Sequence, residues 1–138
     1  MQENALYIYL QLNTLTGINM SRALWLTLGE AVRVHAKNQP NKLAVKDWRG
    51  KQVTYKDLHM RTNKLANALL NLGLKKGDRI SILSYNCMEF IEILAACSKI
   101  GVVLAPVSWR FAPPEVNYVV DNADSKAVFV LDNFVDTI

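Results

Sequence analysis

The fold is decided by residues 73–110, G-L-K-K-G-D-R-I-S-I-L-S-Y-N-C-M-E-F-I-E-I-L-A-A-C-S-K-I-G-V-V-L-A-P-V-S-W-R. A turn around Gly77 leads into an apolar run, Arg79 to Ser84, that reads as a strand. A helix is expected from Asn86 to Ile100, closed by Gly101, with a second strand from Val102 to Val107. Strand, helix, strand with short connections is a βαβ unit, so the two strands run parallel with a right-handed crossover. The charged positions of the helix, Glu89, Glu92 and Lys99, fall on one narrow stripe, which reads as its solvent side. The rest is apolar or small nearly all the way round, so this helix is covered on more than one side. That implies a core larger than this chain builds alone.

Working outward, Ser108-Trp109-Arg110-Phe111 forms a loop at the carboxyl end of a strand. Pro113-Pro114 opens a further helix carrying Val116, Val119 and Val120 and ending near Asn122. Lys126 to Leu131 is a third parallel strand, and Asp132–Ile138 begins a helix. The order β-α-β-α-β is an open α/β arrangement, whose ligands sit beyond the strand carboxyl ends. Upstream, Thr27 and Glu30 read as a capping box, followed by a helix with Leu28, Ala31, Val32 and His35 on its packing face. It ends near Asn38-Gln39-Pro40. Leu43–Val45 and Val53–Tyr55 form a hairpin around Asp47-Trp48-Arg49-Gly50. Thr54 then caps a helix that buries Leu58, Leu65, Ala66, Leu69 and Leu72 and ends at Gly73. His59 lies at the edge of its apolar arc, with no role assigned. The fold class is therefore α/β: a hairpin with helices, followed by an open parallel unit.

The composition is that of a globular chain: 138 residues, 51% hydrophobic and 20% charged. Its net charge of +4 comes from scattered lysines and arginines without a basic stripe, which favours a solvated mixed surface over a nucleic-acid patch. Cys87 and Cys97 stand ten positions apart on one helix, roughly 15 Å, too far for a disulfide. Reduced thiols fit a cytoplasmic protein. No apolar run approaches the length of a membrane span. Residues 1–20 lack the charge pattern of a signal peptide and read as an irregular leader, with Met20 the expected natural start and 21–138 the domain segment.

The chemistry-bearing patterns are sparse. The six glycines give neither G-x-G-x-x-G nor G-x-x-x-x-G-K-[ST]. No serine sits in a nucleophile elbow. Glu89 and Glu92 have no histidine partner and are poor candidates for an acid–base pair. The residues by themselves describe an α/β module without a complete active site.

Three runs in fixed order add a resemblance. V-T-Y-K-D-L, then L-G-L-K-K-G-D-R-I-S-I-L-S-Y-N, then the stretch from Glu89 through P-V-S-W-R-F-A-P-P-E to Val130 closely resemble adenylate-forming acyl-CoA synthetases, over about residues 24–132. The P-V-S-W-R-F-A-P-P-E form is most similar to fatty-acyl-CoA ligases. The resemblance implies an enzyme several times longer that uses ATP, Mg²⁺ and coenzyme A. In it a carboxylate attacks the α-phosphorus of ATP, pyrophosphate leaves, and the coenzyme A thiol then displaces AMP. It also implies that the phosphate loop, the magnesium-binding glutamate, the ribose-binding aspartate and the catalytic lysine all lie further along than Ile138. The chain is thus expected to be the incomplete N-terminal portion of the large domain, catalytically silent alone. The alternatives are a non-catalytic module binding coenzyme A or a partner chain, and a ligase completed by another polypeptide. Arg110 and Lys126 match positions that meet coenzyme A phosphates in some relatives, which suits cations at strand ends. Trp109 is expected to pack. Apolar faces left open predict self-association or pairing with the missing remainder.

Overall fold

A computed structural model describes residues 27–138. The leader and the Met20 start lie outside the described residues. The described residues open with α1 (Leu28–Asn38), then a hairpin of β1 (Leu43–Lys46) and β2 (Gln52–Thr54), then α2 (Tyr55–Asn71). The parallel unit follows as β3 (Arg79–Leu83), α3 (Met88–Ile100), β4 (Val103–Val107), α4 (Pro113–Asn122) and β5 (Ser125–Val130). A short 3₁₀ helix spans Asp132–Thr137.

The three parallel strands lie in the order β4-β3-β5. Ile80 of β3 sits opposite Leu104 and Ala127, and Leu83 sits opposite Val107 and Val130. Because the chain steps to one side of β3 and then back across it, right-handed crossovers put α3 and α4 on opposite faces of the sheet. The strand's alternation matches this. Ile80 and Ile82 pack with Ile93, Ala96 and Cys97 of α3. Leu83 packs with Val107 and with Val116 of α4.

The other side of α3 is covered too. Met88 and Ala95 join Val32 of α1, Val53 of β2 and Leu58 of α2 in a separate cluster. This is why α3 is apolar almost all round: it is wedged between the sheet and the α1–α2 layer. Gly29 allows the closest approach, since an added Cβ would lie 2.5 Å from Lys99 Cγ and 3.0 Å from Lys99 N. The Gly29 N–H donates to Ser98 Oγ at 3.1 Å.

Local signals hold at most element ends. Thr27 and Thr54 cap their helices by accepting from the N–H groups of Glu30 and Asp57, both at 3.2 Å. Only half of the Thr27 box forms, because the Glu30 carboxylate turns to Arg33 instead. Gly101 closes α3 at φ 74°, in the left-handed region that glycine tolerates. Several expectations need correction. Leu28 and Leu72, expected to pack inward, are 41% and 78% exposed. α3 begins at Met88 rather than Asn86, with Cys87 as a cap that makes no side-chain bond. His35 is exposed and stacks on Tyr55 at 4.7 Å instead of packing inward, while Gly29 and Val32 carry the buried face of α1. The stripe of Glu89, Glu92 and Lys99 is not a solvent face: it meets α2 and the hairpin, and Glu92 is only 8% exposed.

Candidate functional site

The carboxyl ends of the strands gather the aromatic residues. Tyr85 follows β3, Trp109 follows β4, and Phe134 follows β5. The Tyr85 ring lies edge-on to both, with centroids 5.2 Å from Trp109 and 5.0 Å from Phe134. Such edge-to-face pairs fix ring orientation as well as burying area. Beside them opens a cavity of about 490 Å³ lined by Trp48, Tyr85, Asn86 and Asn133. It lies at the carboxyl edge of an open α/β sheet, where side chains on successive loops converge.

Trp48 reaches this rim from the hairpin tip. The buried Asp47 carboxylate accepts from the N–H groups of Arg49 and Lys51 at 2.9 and 3.0 Å, and from the Arg49 side chain at 2.8 and 2.7 Å. Burial pushes its pKa up, but the Arg49 side chain and the two backbone donors together pull it below the ordinary value. The same Arg49 contacts Glu89 of α3 at 2.5 Å, and Lys51 contacts it at 3.1 Å. Burial raises the Glu89 pKa too, yet its own N–H, Arg49, Lys51 and the Cys87 thiol bring it down to about 2. These ion pairs tie the hairpin to the first turn of α3.

Arg110 and Lys126 are not brought together. The Arg110 guanidinium lies 4.6 Å over the Trp109 ring at the carboxyl end. Lys126 stands at the amino end of β5, 3.4 Å from Asp124. It borders a different cavity, of about 530 Å³, with Leu72, Lys75 and Asp78. The strands between put about 16 Å between these two rims. Trp109 packs against Tyr85 yet stays 43% exposed.

Acid–base and metal chemistry find little support among the described residues. Glu89 and Glu92 are both held in ion pairs. No three His, Cys, Asp or Glu side chains converge as metal ligands among the described residues, so the Mg²⁺ that the resemblance implies has no fitting ligand set there. Sequence reasoning missed Asp47 as the organiser of the hairpin. The signal was present: a carboxylate two and four residues before Arg49 and Lys51 is a turn-forming arrangement. It also passed over His59, which the structure joins to Lys99 and Asn63.

The AMP-binding enzyme family model matches residues 32–137, which is most of the chain. The chain belongs to the AMP-binding enzyme family. It is 37% identical over 108 residues to a fatty acid–[acyl-carrier-protein] ligase of Streptomyces coeruleorubidus, covering 78% of this chain and 21% of that protein. Among solved structures it resembles coronafacic acid ligase from Pectobacterium brasiliense, with a TM-score of 0.76 and 31% identity over 81% of this chain and 22% of that one. It also resembles the N-terminal domain of FACL13 from Mycobacterium tuberculosis, with a TM-score of 0.76 and 29% identity over 80% of this chain and 28% of that one. This chain spans about a fifth of the length of the curated relatives it matches. The α/β architecture expected from the sequence is that of these acyl-CoA ligase N-terminal regions.

Proposed function

We propose that residues 32–137 serve as the opening part of the large domain of an AMP-forming acid–thiol ligase acting on fatty acids, and that the 138-residue chain alone is catalytically silent. The observation that carries this reading is the make-up of the carboxyl-end rim. It offers aromatic walls and amides but, among the described residues, neither a glycine-rich phosphate cradle nor a metal ligand set. Such a rim can receive part of a substrate but lacks, among the described residues, the phosphate loop and metal site that stabilise charge developing on a triphosphate. The ligase reading comes from the relatives' printed activities and the family match. The test is pyrophosphate release from ATP with a fatty acid. The isolated chain should give none, and release by the purified chain alone would overturn silence. Release only on adding a second polypeptide would favour a ligase completed in trans.

A second reading, a coenzyme A-binding module, is favoured by Arg110 spread over Trp109 at that rim. Calorimetry with coenzyme A discriminates: heat that disappears in Arg110→Ala but persists in Lys126→Ala supports it, and no heat removes it. The two cations stand too far apart to share one phosphate. Both cysteines are free and buried, which suits the cytoplasm. No helix among the described residues is long and apolar enough to cross a membrane. Exposed Leu72, Val103 and Val135 support self-association, which sedimentation across a concentration series would measure.

A further inference from the structure

Lys99, in the last turn of α3, fastens that helix to α2. Its Nζ lies 3.1 Å from His59 Nδ1, 3.4 Å from the His59 carbonyl oxygen and 2.6 Å from Asn63 Oδ1. An ammonium has three donors and no acceptor, so a charged Lys99 serves all three contacts. Two of these acceptors, a carbonyl and an amide oxygen, keep their lone pairs at any pH. The third does not: Nδ1 accepts only while the imidazole is neutral, with its one proton on Nε2. Asn63 Nδ2 lies 3.2 Å from that Nε2 at an exposed position, where solvent can serve both groups. The grip has little room to give. Thr62 Oγ1, in a fully buried residue, donates to the same His59 carbonyl at 3.1 Å and fixes the backbone that Lys99 holds. From the other side Gly29 of α1 rests on the Lys99 stem, where an added Cβ would lie 2.5 Å from Cγ. The Gly29 N–H also donates to Ser98 Oγ, beside Lys99. All three helices therefore meet at one lysine, and one of its acceptors titrates.

We propose that His59 is an acid-sensitive latch of the α1–α2–α3 layer: protonation turns Nδ1 from acceptor to donor, drives Lys99 off α2, and loosens α1, which rests on the Lys99 stem. The surroundings favour release over rearrangement. The charged groups facing the imidazole are both cations, Lys99 from α3 and Arg33 from α1. The carboxylates of the three helices near it are engaged: Glu30 by Arg33, Asp57 by Thr54 and Glu92 by Arg61. Among the described residues no counter-charge is free to take over an imidazolium. Burial, then Lys99 and Arg33, hold the His59 pKa below its ordinary value. The unlatched chain therefore takes the proton before the latched one does. The sign follows: the clasp is complete above the ordinary histidine value of about 6.5 and is lost as pH falls through the lower folded value. That window lies above the one in which the ion-paired Asp47 and Glu89 titrate. The latch does not depend on the ligase reading.

The test uses the whole chain. It holds two histidines, so His35→Gln, at an exposed position, leaves the imidazole C2 proton of His59 as the single such signal. Proton NMR should show that signal titrating below about 6.5, and Lys99→Met, which keeps an apolar stem and removes the facing charge, should move the midpoint upward. Hydrogen exchange, corrected for the intrinsic effect of pH on the chemistry, reads the consequence. Between about pH 7 and pH 5 the wild type should lose protection in α1 and in the last turn of α3. His59→Gln, which offers an oxygen acceptor that takes no proton in this range, should lose much less. A His59 midpoint at or above 6.5, or one that Lys99→Met leaves unmoved, overturns the proposal. So does a loss of protection in α1 and α3 that is the same in His59→Gln as in the wild type.

Discussion

Arg61 Nε of α2 stands 2.6 Å from Glu92 Oε1 of α3, and the carboxylate it meets is nearly buried while the guanidinium is mostly exposed. The second guanidinium contact, Nη2 to Oε2, is a hydrogen bond of 3.1 Å, whereas Oε1 has no aligned donor. The pair is therefore asymmetric: Arg61 loses little by leaving, and Glu92 loses its counter-charge. Arg61→Ala should cost about 1–2 kcal/mol, the range for a buried acceptor left short of a partner, reduced by solvent access on the arginine side. Arg61→Met with Glu92→Leu should recover most of that loss, because an apolar pair needs no desolvation of charge. Urea denaturation of the single and double variants measures both. A double variant less stable than Arg61→Ala would refute this account.

The hairpin-to-helix ion pairs predict acid sensitivity. Asp47 is held below its ordinary pKa and Glu89 at about 2, so at mildly acid pH the unfolded chain binds protons that the folded chain does not. The sign follows from linkage: this stability is present above the unfolded carboxylate pKa and is lost as pH falls from about 4.5 towards 2. Urea midpoints at pH 6, 4 and 3 should fall steeply for the wild type. Glu89→Gln should flatten that fall while lowering the midpoint at pH 6. An unchanged slope in the variant would show that other carboxylates carry the acid response.

How much of this was legible in the sequence varies with the range of the interaction. The caps at Thr27 and Thr54, the proline start of α4 and the glycine end of α3 depend on neighbours within a few residues, and each was readable. The all-round apolar character of α3 correctly announced cover on more than one side, but the inference that this needs a core larger than the chain builds does not hold: the sheet and the α1–α2 layer of this same chain supply both covers. Its charged stripe misled, because polarity on a helix does not distinguish water from the opposing Arg49, Arg61 and Asn63 of another element. His35 failed for the opposite reason: a helical period places it on the inner face, but the buried stripe of α1 is carried by Gly29 and Val32, nearer the helix start. The rim shared by Trp48, Tyr85 and Asn133 joins residues far apart in the chain, and one sequence carries no sign of that meeting.

Gly29 gives a packing test in which two effects oppose. Alanine improves helix propensity by about 1 kcal/mol. Its Cβ, however, would meet Lys99 Cγ at 2.5 Å, Lys99 N at 3.0 Å and Ala95 O at 3.2 Å. The lysine stem can shift, but the two α3 backbone atoms cannot without moving α1 away. Overpacking of this kind costs about 1–3 kcal/mol, so Gly29→Ala should be destabilising on balance. A thermal melt compares the variant with the wild type. A gain in stability would mean that α1 rides on α3 loosely enough to absorb a methyl group.

The two thiols supply a test of the α3 sandwich itself. Cys97 is 1% exposed and Cys87 5% exposed, on opposite ends of the helix. Burial pushes the Cys97 thiol up to about 11, so almost no thiolate exists at neutral pH, and the thiolate is the nucleophile. A chromogenic disulfide reagent at pH 7.5 should therefore leave Cys97 unreacted in the native chain and react with both cysteines once guanidinium unfolds it. Mild oxidation should produce no internal bridge, since about 15 Å of helix separates the pair. Rapid native labelling of Cys97 would mean that α3 separates from the sheet or from the α1–α2 layer on the timescale of the reaction. In that case the apolar wrapping that organises this half of the molecule is transient. Quantifying modification at Cys97 by peptide mass spectrometry, alongside Cys97→Ala as the unreactive reference, separates that outcome from reaction at Cys87.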